Sequence, residues 1–311
     1  VYMFQSSATL ERLYINSCSA PDGAGVYSLA SSPTIRKCEI SNNSASANGG
    51  GIYSQNDSSL VIENSLLFYN RNATNAGGAF IDNCSELTLV NCTIRDNTVS
   101  GTGGGVYMTN MSSPARITNC ILWNNSAGSG PQLAIETPTV LTVNFCDIQG
   151  GENHVYTGSG ATLNWGPNNL DMDPDFNYDH RLNSTSPCVD SGTRNIQSYP
   201  ELPDDDFQGD PRSFGSNYDM GWDEYRTAIS CGEIINDVDT THFQDNIGSG
   251  ACGFAGNDVI FRIDADNLPA GERFTATLSD EHLTDFQVSI LTGFDPDLDC
   301  QVTDTQVVEY V

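Results

Sequence analysis

LTLVNCTIRDNTVSGTGGGVY, residues 87–107, holds the pattern that decides the fold. Leu89 stands three residues before Cys92, Asn97 follows, and a glycine run leads into the apolar pair Val106 and Tyr107. The same order returns along the chain. Ile15 precedes Cys18, Ile35 precedes Cys38, Ile62 precedes Ser65, Ile117 precedes Cys120 and Val143 precedes Cys146, each by three residues. The column 18, 38, 65, 92, 120, 146 advances by 20, 27, 27, 28 and 26. A second column, Asn43, Asn70, Asn97 and Asn125, advances by 27, 27 and 28, and a third, Gly51, Ala79 and Gly105, by 28 and 26. Three columns sharing one period are not a product of composition, and a period of roughly 20–50 residues marks a solenoid, a propeller or an array.

The content of one period selects among these. Short apolar runs rich in Ile, Val, Leu and Tyr are cut by Asn, Gly and Ser, and no window keeps a helical period for ten residues. A propeller blade needs about 40 residues, more than one period supplies. One coil of a parallel β-helix fits, with three short strands joined by bends. Stacked coils bring matching residues about 4.8 Å apart, so residue types recur as ladders. Asn suits the bends because it tolerates a left-handed backbone, and Gly does so without a side chain.

This pattern resembles the right-handed parallel β-helix proteins over roughly residues 10–150. The blocks GGGIY, GGAFI and GGGVY, with asparagines nearby, are similar to polymorphic outer-membrane protein repeats. The resemblance implies the fold and leaves function open, because β-helices host lyases, hydrolases, adhesins and scaffolds. Residues 1–164 are expected to form the coils. The step of 20 at Cys18 leads us to expect an abbreviated first coil with an open strand edge.

From about Gly150 the period decays. Asp173-Pro174-Asp175-Phe176, Arg181-Leu182, Ser186 to Gly192, Asp206 to Arg212 and Asp219 to Glu224 follow in an order that resembles the terminal segment of choice-of-anchor Q domain proteins. That resemblance implies a secreted or surface protein. Residues 165–227 are expected to cap the last coil, with Phe176, Leu182, Phe207 and Trp222 over the exposed core end. Residues 228–311 change character again. Longer alternating strands at Asp258–Ile263, Phe274–Leu278 and Phe286–Leu291 have sandwich spacing. With Cys231, Cys252 and Cys300 they resemble a bacterial pre-peptidase C-terminal β-sandwich. The fold class expected is therefore all-β, a right-handed parallel β-helix with a C-terminal β-sandwich.

Composition narrows the partners. Acidic residues number 40 against 12 basic ones, a net charge of -28, and Lys37 is the only lysine. Such a surface repels nucleic acid and anionic membranes and attracts cations. No run of 18 apolar residues exists to span a membrane. Low lysine, abundant Asn, Ser, Thr and Gly, and all-β repeats point to an extracellular or cell-surface location in a bacterial-type protein. The opening VYMFQSS reads as the start of a trimmed piece of a longer precursor, completed natively by removed sequence or by another copy stacking end to end. Of the ten cysteines, the column members suit an inward ladder of free thiols, although neighbouring coils lie within disulfide reach. A bridge among Cys231, Cys252 and Cys300 is more plausible.

Catalysis lacks its tools on the coils. Lyase-like sites need a basic residue beside carboxylate-bound Ca²⁺, but Arg12, Arg36, Lys37, Arg71, Arg95 and Arg116 do not converge with carboxylates across coils. All four histidines, His154, His180, His242 and His282, lie outside the repeats, and Asp96 is the only Asp in its column. Neither a carboxylate pair nor a His-based triad is supported. Ca²⁺ is the cofactor with a sequence argument. Asp171, Asp173 and Asp175 alternate in one stretch and Asp295, Asp297 and Asp299 in another, and clustered Asp in turns supply its six to eight oxygens. The competing reading is a solvated acidic face. The column Tyr27, Tyr53, Ile81 and Tyr107 is either an outward stripe that stacks on sugars or part of a core or half-buried ladder. The equally apolar neighbours Val26, Ile52, Phe80 and Val106 do not decide by alternation. The expected role is structural or adhesive, toward itself or other surface proteins. The alternative is a carbohydrate-active or glycan-binding module of lyase or hydrolase type.

Overall fold

A computed structural model describes residues 1–72, 74–194, 203–212, 215–225, 274–277 and 307–310. Four parallel sheets run the length of a β-solenoid: two of seven strands, one of six and one of four. We label them A to D in the order one coil visits them. The coil starting at residue 52 has strands Ile52–Gln55 in sheet A, Leu60–Glu63 in B, Leu66–Phe68 in C and Arg71–Asn72 in D. The expected three strands per coil are thus joined by a short fourth. Ile62 pairs with Ile35 on one side and Leu89 on the other, as the period requires. Among the described residues, no helix is long and apolar enough to cross a membrane.

The bends explain the asparagines. Three columns of residues have positive φ: Asn56, Asn83 and Asn110 between sheets A and B, Lys37, Asn64, Asn91 and Asn119 between B and C, and Asn42, Tyr69, Asp96 and Asn124 between C and D. Each left-handed residue turns the chain by one corner, and Asn accepts that conformation at least strain. Inside the coils, Ile35, Ile62, Leu89, Ile117 and Val143 form one buried apolar ladder and Ile40, Leu67, Ile94 and Leu122 another.

The Asn43–Asn70–Asn97–Asn125 column is a buried amide ladder. Asn97 Oδ1 accepts from the backbone N–H of Asn70 at 2.9 Å and from Asn70 Nδ2 at 3.0 Å, and Asn70 Nδ2 also donates to the Ile40 carbonyl at 2.8 Å. Asn125 donates in turn to Gln132 Oε1, which ends the ladder. Glycine faces this ladder at 51, 78 and 105. A Cβ on Gly78 would lie 2.4 Å from the Gly105 carbonyl oxygen, so no side chain fits. The glycine column thus passes through Gly78, not Ala79, which pairs with Ile52 and Val106 and points inward.

The thiol ladder is also corrected at one position. Cys38, Ser65, Cys92, Cys120 and Cys146 line up inside the coils, fully buried, and the cysteines are free. Cys38 N–H donates to Ser65 Oγ at 3.1 Å and Cys120 N–H to Cys146 Sγ at 3.4 Å. Cys18 does not belong. Ile15 pairs with Ile40, and the Cys18 N–H donates to Asn43 Oδ1 at 3.0 Å, so Cys18 begins the amide ladder instead. Both Cys18 and Cys38 follow a left-handed bend residue, Ser17 and Lys37, which gave them the same local pattern. The first coil is therefore not abbreviated: Tyr2 pairs with Tyr27, and strands Thr9–Glu11 and Tyr14–Asn16 complete it.

The described residues through 225 belong to one compact unit. In a second unit, strands Phe274–Thr277 and Val307–Tyr310 pair antiparallel. The rest of the expected sandwich, with Cys231, Cys252, Cys300, Asp295, Asp297 and Asp299, lies outside the described residues.

Candidate functional site

Two surfaces of the solenoid concentrate side chains capable of recognition. The first is an aromatic column on the outer face of sheet A. Tyr27, Tyr53, Phe80 and Tyr107 are in register, with ring centroids 5.1, 5.1 and 5.0 Å apart and interplanar angles of 4°, 8° and 12°. The rung at the third level is Phe80. Ile81 points inward above Ser54 and below Met108, one pleat away from the expected column. Because the coil spacing matches ring stacking, each inner ring has both faces against its neighbours. Tyr53 is only 6% exposed and Phe80 7%. Burial raises the Tyr53 phenol well above its ordinary value. The stack stops at Ala134, which pairs with Tyr107 on one side and Tyr156 on the other. Tyr156 is exposed, and its hydroxyl donates to Glu136.

The second surface is the outer face of sheet C. Leu66, Phe68, Thr93 and Ile121 point outward there yet are buried. The cover is the segment after Trp165. Its first residues cover the edge of sheet C at the last level, where Asn169 Oδ1 accepts from the Cys146 N–H at 3.0 Å and the Leu170 N–H donates to the Cys146 carbonyl at 2.7 Å, and the rest runs back as a strap along the solenoid. Leu170 bridges to Asp147 at the sixth level of sheet C. Leu182, Cys188 and Met220 pack on Ile121, and Phe176 lies beneath the Arg95 guanidinium at 4.4 Å. Trp222 and Phe207 cover Leu66 and Phe68, and Phe207 meets the Tyr14 ring edge-on at the first level. Six levels are thus tied by one segment. The physical reason is that the outer face of sheet C is apolar at Leu66, Phe68, Ile121 and Trp123, so those levels need cover as the inner face does.

The left-handed column between sheets B and C is the docking rail. The Lys37 ammonium pairs with Asp205. Asn64 Nδ2 donates to the Asp205 carbonyl at 2.7 Å, while its Oδ1 accepts from Arg212 Nε at 3.1 Å and Nη2 at 2.9 Å. Asn119 Nδ2 donates to the Thr193 carbonyl, and its Oδ1 accepts from the Thr193 N–H, both at 2.9 Å. Asn91 Nδ2, between them, has no hydrogen-bond partner among the described residues.

Arg212 is the centre of the strap and is fully buried. Besides Asn64 it reaches the Gly221 carbonyl at 3.0 Å and Glu224 Oε2 at 3.4 Å. Glu224 Oε2 also accepts from the Asp219 N–H at 3.0 Å. Asp206 holds two turns together: its Oδ1 accepts from the N–H groups of Gly209 and Asp210, and its Oδ2 from that of Glu224. Burial pushes Glu224 up to about 8, and the Asp219 charge pushes it further while Arg212 opposes. Burial also lifts Asp219 to about 6 and Asp147 to about 6.

The acidic stretch expected to hold Ca²⁺ has other work. Asp171 Oδ1 accepts from the Gly150 N–H at 2.8 Å, and Asp173 Oδ1 from the Asp175 N–H at 3.0 Å. Asp175 accepts from Asn183 Nδ2 at 3.1 Å and from the Thr185 hydroxyl at 2.5 Å, bonds that hold its carboxyl below the usual value. Among the described residues no three His, Cys, Asp or Glu side chains converge on one point. Against the expectation that the coil bases meet no carboxylate across coils, Arg36 pairs with Glu11 of the neighbouring coil at 2.8 Å, while Arg95 pairs with Asp96 of its own coil at 2.6 Å.

Sequence reasoning quoted Arg212 and Glu224 inside a motif without giving them a role. The signal for their surroundings was present: Leu66-Leu67-Phe68 and Ile121-Leu122-Trp123 are apolar without alternation, the mark of a strand covered on both faces. In comparisons with known proteins, residues 1–164 match the family described as right handed beta helix region. No curated protein and no solved structure matches the chain.

Proposed function

The chain belongs to the right-handed β-helix family, and we propose that it is an extracellular or cell-surface scaffold with a structural or adhesive role. One observation carries this reading. Among the described residues, aromatic rings, amides and a buried arginine are engaged in holding the coils together: ring faces on each other, amides in a ladder, and Arg212 on Asn64 and Glu224. A net charge of -28 with a single lysine suits a surface exposed to the extracellular medium. The partners fitting this reading are other surface proteins or further coils in register with strand Tyr2–Phe4, whether from the same chain or from a second copy. The test joins two assays on the purified chain. Incubation with a panel of acidic and neutral polysaccharides is expected to release no new chain ends, and light scattering or pull-down from cell envelopes is expected to report association. Turnover of any polysaccharide would sink the reading.

A glycan-binding module is the second reading, favoured by the interruption of the aromatic stack. Tyr107 and Tyr156 flank Ala134 with a carboxylate, Glu136, beside them. A pyranose ring packing on the exposed Tyr156 with Glu136 bonding its hydroxyls is the chemistry such a place offers. Binding of an oligosaccharide that vanishes in Tyr156→Ala supports it, and an oligosaccharide affinity unchanged by that substitution rejects it.

A further inference from the structure

We propose that the strap over sheet C is a pH-responsive clasp, closed at neutral pH and opening in the alkaline range to uncover the apolar stripe of Leu66, Phe68 and Ile121. The geometry supplies the argument. Within the strap, Asp206, Asp210, Asp219, Asp223 and Glu224 are all buried, and among the described residues the cations beside them are Arg181 and Arg212. From the coils, Lys37 is taken by Asp205 and Arg95 by Asp96, while Arg12 and Glu39 act near Tyr14. Among the described residues, Asp190, Asp204 and Arg194 also act on Asp219 and Tyr218. Five buried carboxylates against two guanidiniums cannot all be ionised in an apolar enclosure, so part of the cluster is held together by protons.

Beside its apolar contacts, the strap is tied to the coils by few backbone bonds. Apart from the bridge at Leu170, it meets the coils through side chains and single backbone bonds, such as the Gly221 N–H to the Asn119 carbonyl at 2.8 Å. The direction follows from the burial of Glu224 and Asp219, which lifts them to about 8 and about 6 from ordinary values of 4.5 and 3.8. A carboxyl raised on folding stabilises fully below its unfolded value, and that stabilisation is lost as pH climbs through the folded one. The loss therefore runs from about pH 4 to about 6 for Asp219 and from about 4.5 to about 8 for Glu224, so Glu224 carries the alkaline part. His180, packed on Phe68 and Tyr69, acts in the opposite sense. Burial and Arg95 lower it from 6.5, so its contribution is lost on acidification.

The test is hydrogen exchange by mass spectrometry on the full chain between pH 6 and 9.5. Rates for peptides covering 203–212 and 215–225 are divided by those for the coil peptide 87–99, which cancels the ordinary base catalysis of exchange. The ratio is expected to rise about tenfold or more between pH 6 and 9, and Glu224→Gln, which keeps both hydrogen bonds, to flatten the rise to less than about threefold. If that variant does not fold, the ratio in the native chain alone decides. A ratio that stays constant in the native chain, or a rise that survives in the folded variant, overturns the proposal.

Discussion

The coils and the strap bury similar apolar side chains and hold them by different means. In the coils each level repeats the one below, so backbone amides, Asn side chains and ring faces all find their partners at the same spacing. In the strap no two positions are alike. Asp206, Asp219 and Arg212 each satisfy turns that have no neighbour in register, and removing one leaves specific groups stranded. A ladder therefore accepts conservative change at any one rung but no charge inside it, whereas the strap depends on individual residues.

Four substitutions or additions sharpen that contrast. The largest effect belongs to Cys120→Asp, which buries an unpaired charge among fully buried neighbours and is expected to lower stability by more than ~4 kcal/mol, read as loss of the β-sheet circular dichroism signal. Asn97→Ala comes next. It strips the acceptor from the Asn70 N–H and Nδ2 and the donor from the Leu67 carbonyl, a destabilisation of about 3 kcal/mol in urea unfolding. Arg212→Met keeps the volume but leaves Asn64 Oδ1 and the Gly221 carbonyl without their donors. It is expected to open the strap to proteases at roughly 2 kcal/mol while the coil signal persists. Ser65→Cys restores the regular rung and is expected to change stability by less than about 1 kcal/mol; a larger loss would show the ladder to be as position-specific as the strap.

A smaller effect concerns Ca²⁺. The carboxylates of Asp171, Asp173 and Asp175 hold three different partners, so Ca²⁺ is expected to raise the melting temperature no more than Mg²⁺ at matched ionic strength. A rise specific to Ca²⁺, lost in Asp173→Asn, would contradict this.

The period made the coils legible because stacking forces chemistry to recur. Asn70 and Asn97 could be matched from spacing alone, since each bonds the next. What failed were single-residue offsets. Cys18 and Cys38 both follow a left-handed corner, so a local pattern could not tell one corner from the next, and only the short step of 20 betrayed the error. Phe80 and Ile81 are both apolar, so alternation could not say which faced out. The strap's path was not legible because its partners sit 129 residues away at Thr93 and 148 away at Asn64, and nothing local encodes such a return. The apolar triplets of sheet C announced that a cover existed without saying which segment provided it.

The free thiols offer the most direct measurement, since both regions carry their own. Cys188 is buried in the strap, and Cys92, Cys120 and Cys146 are buried in the coils. A brief alkylation pulse at fixed pH across a urea series, read by peptide mass spectrometry, reports the opening of each. The account predicts that Cys188 becomes reactive at lower urea than the three coil thiols, which open together. Coincident reactivity of all four would contradict it, because strap and coils would then be one cooperative structure.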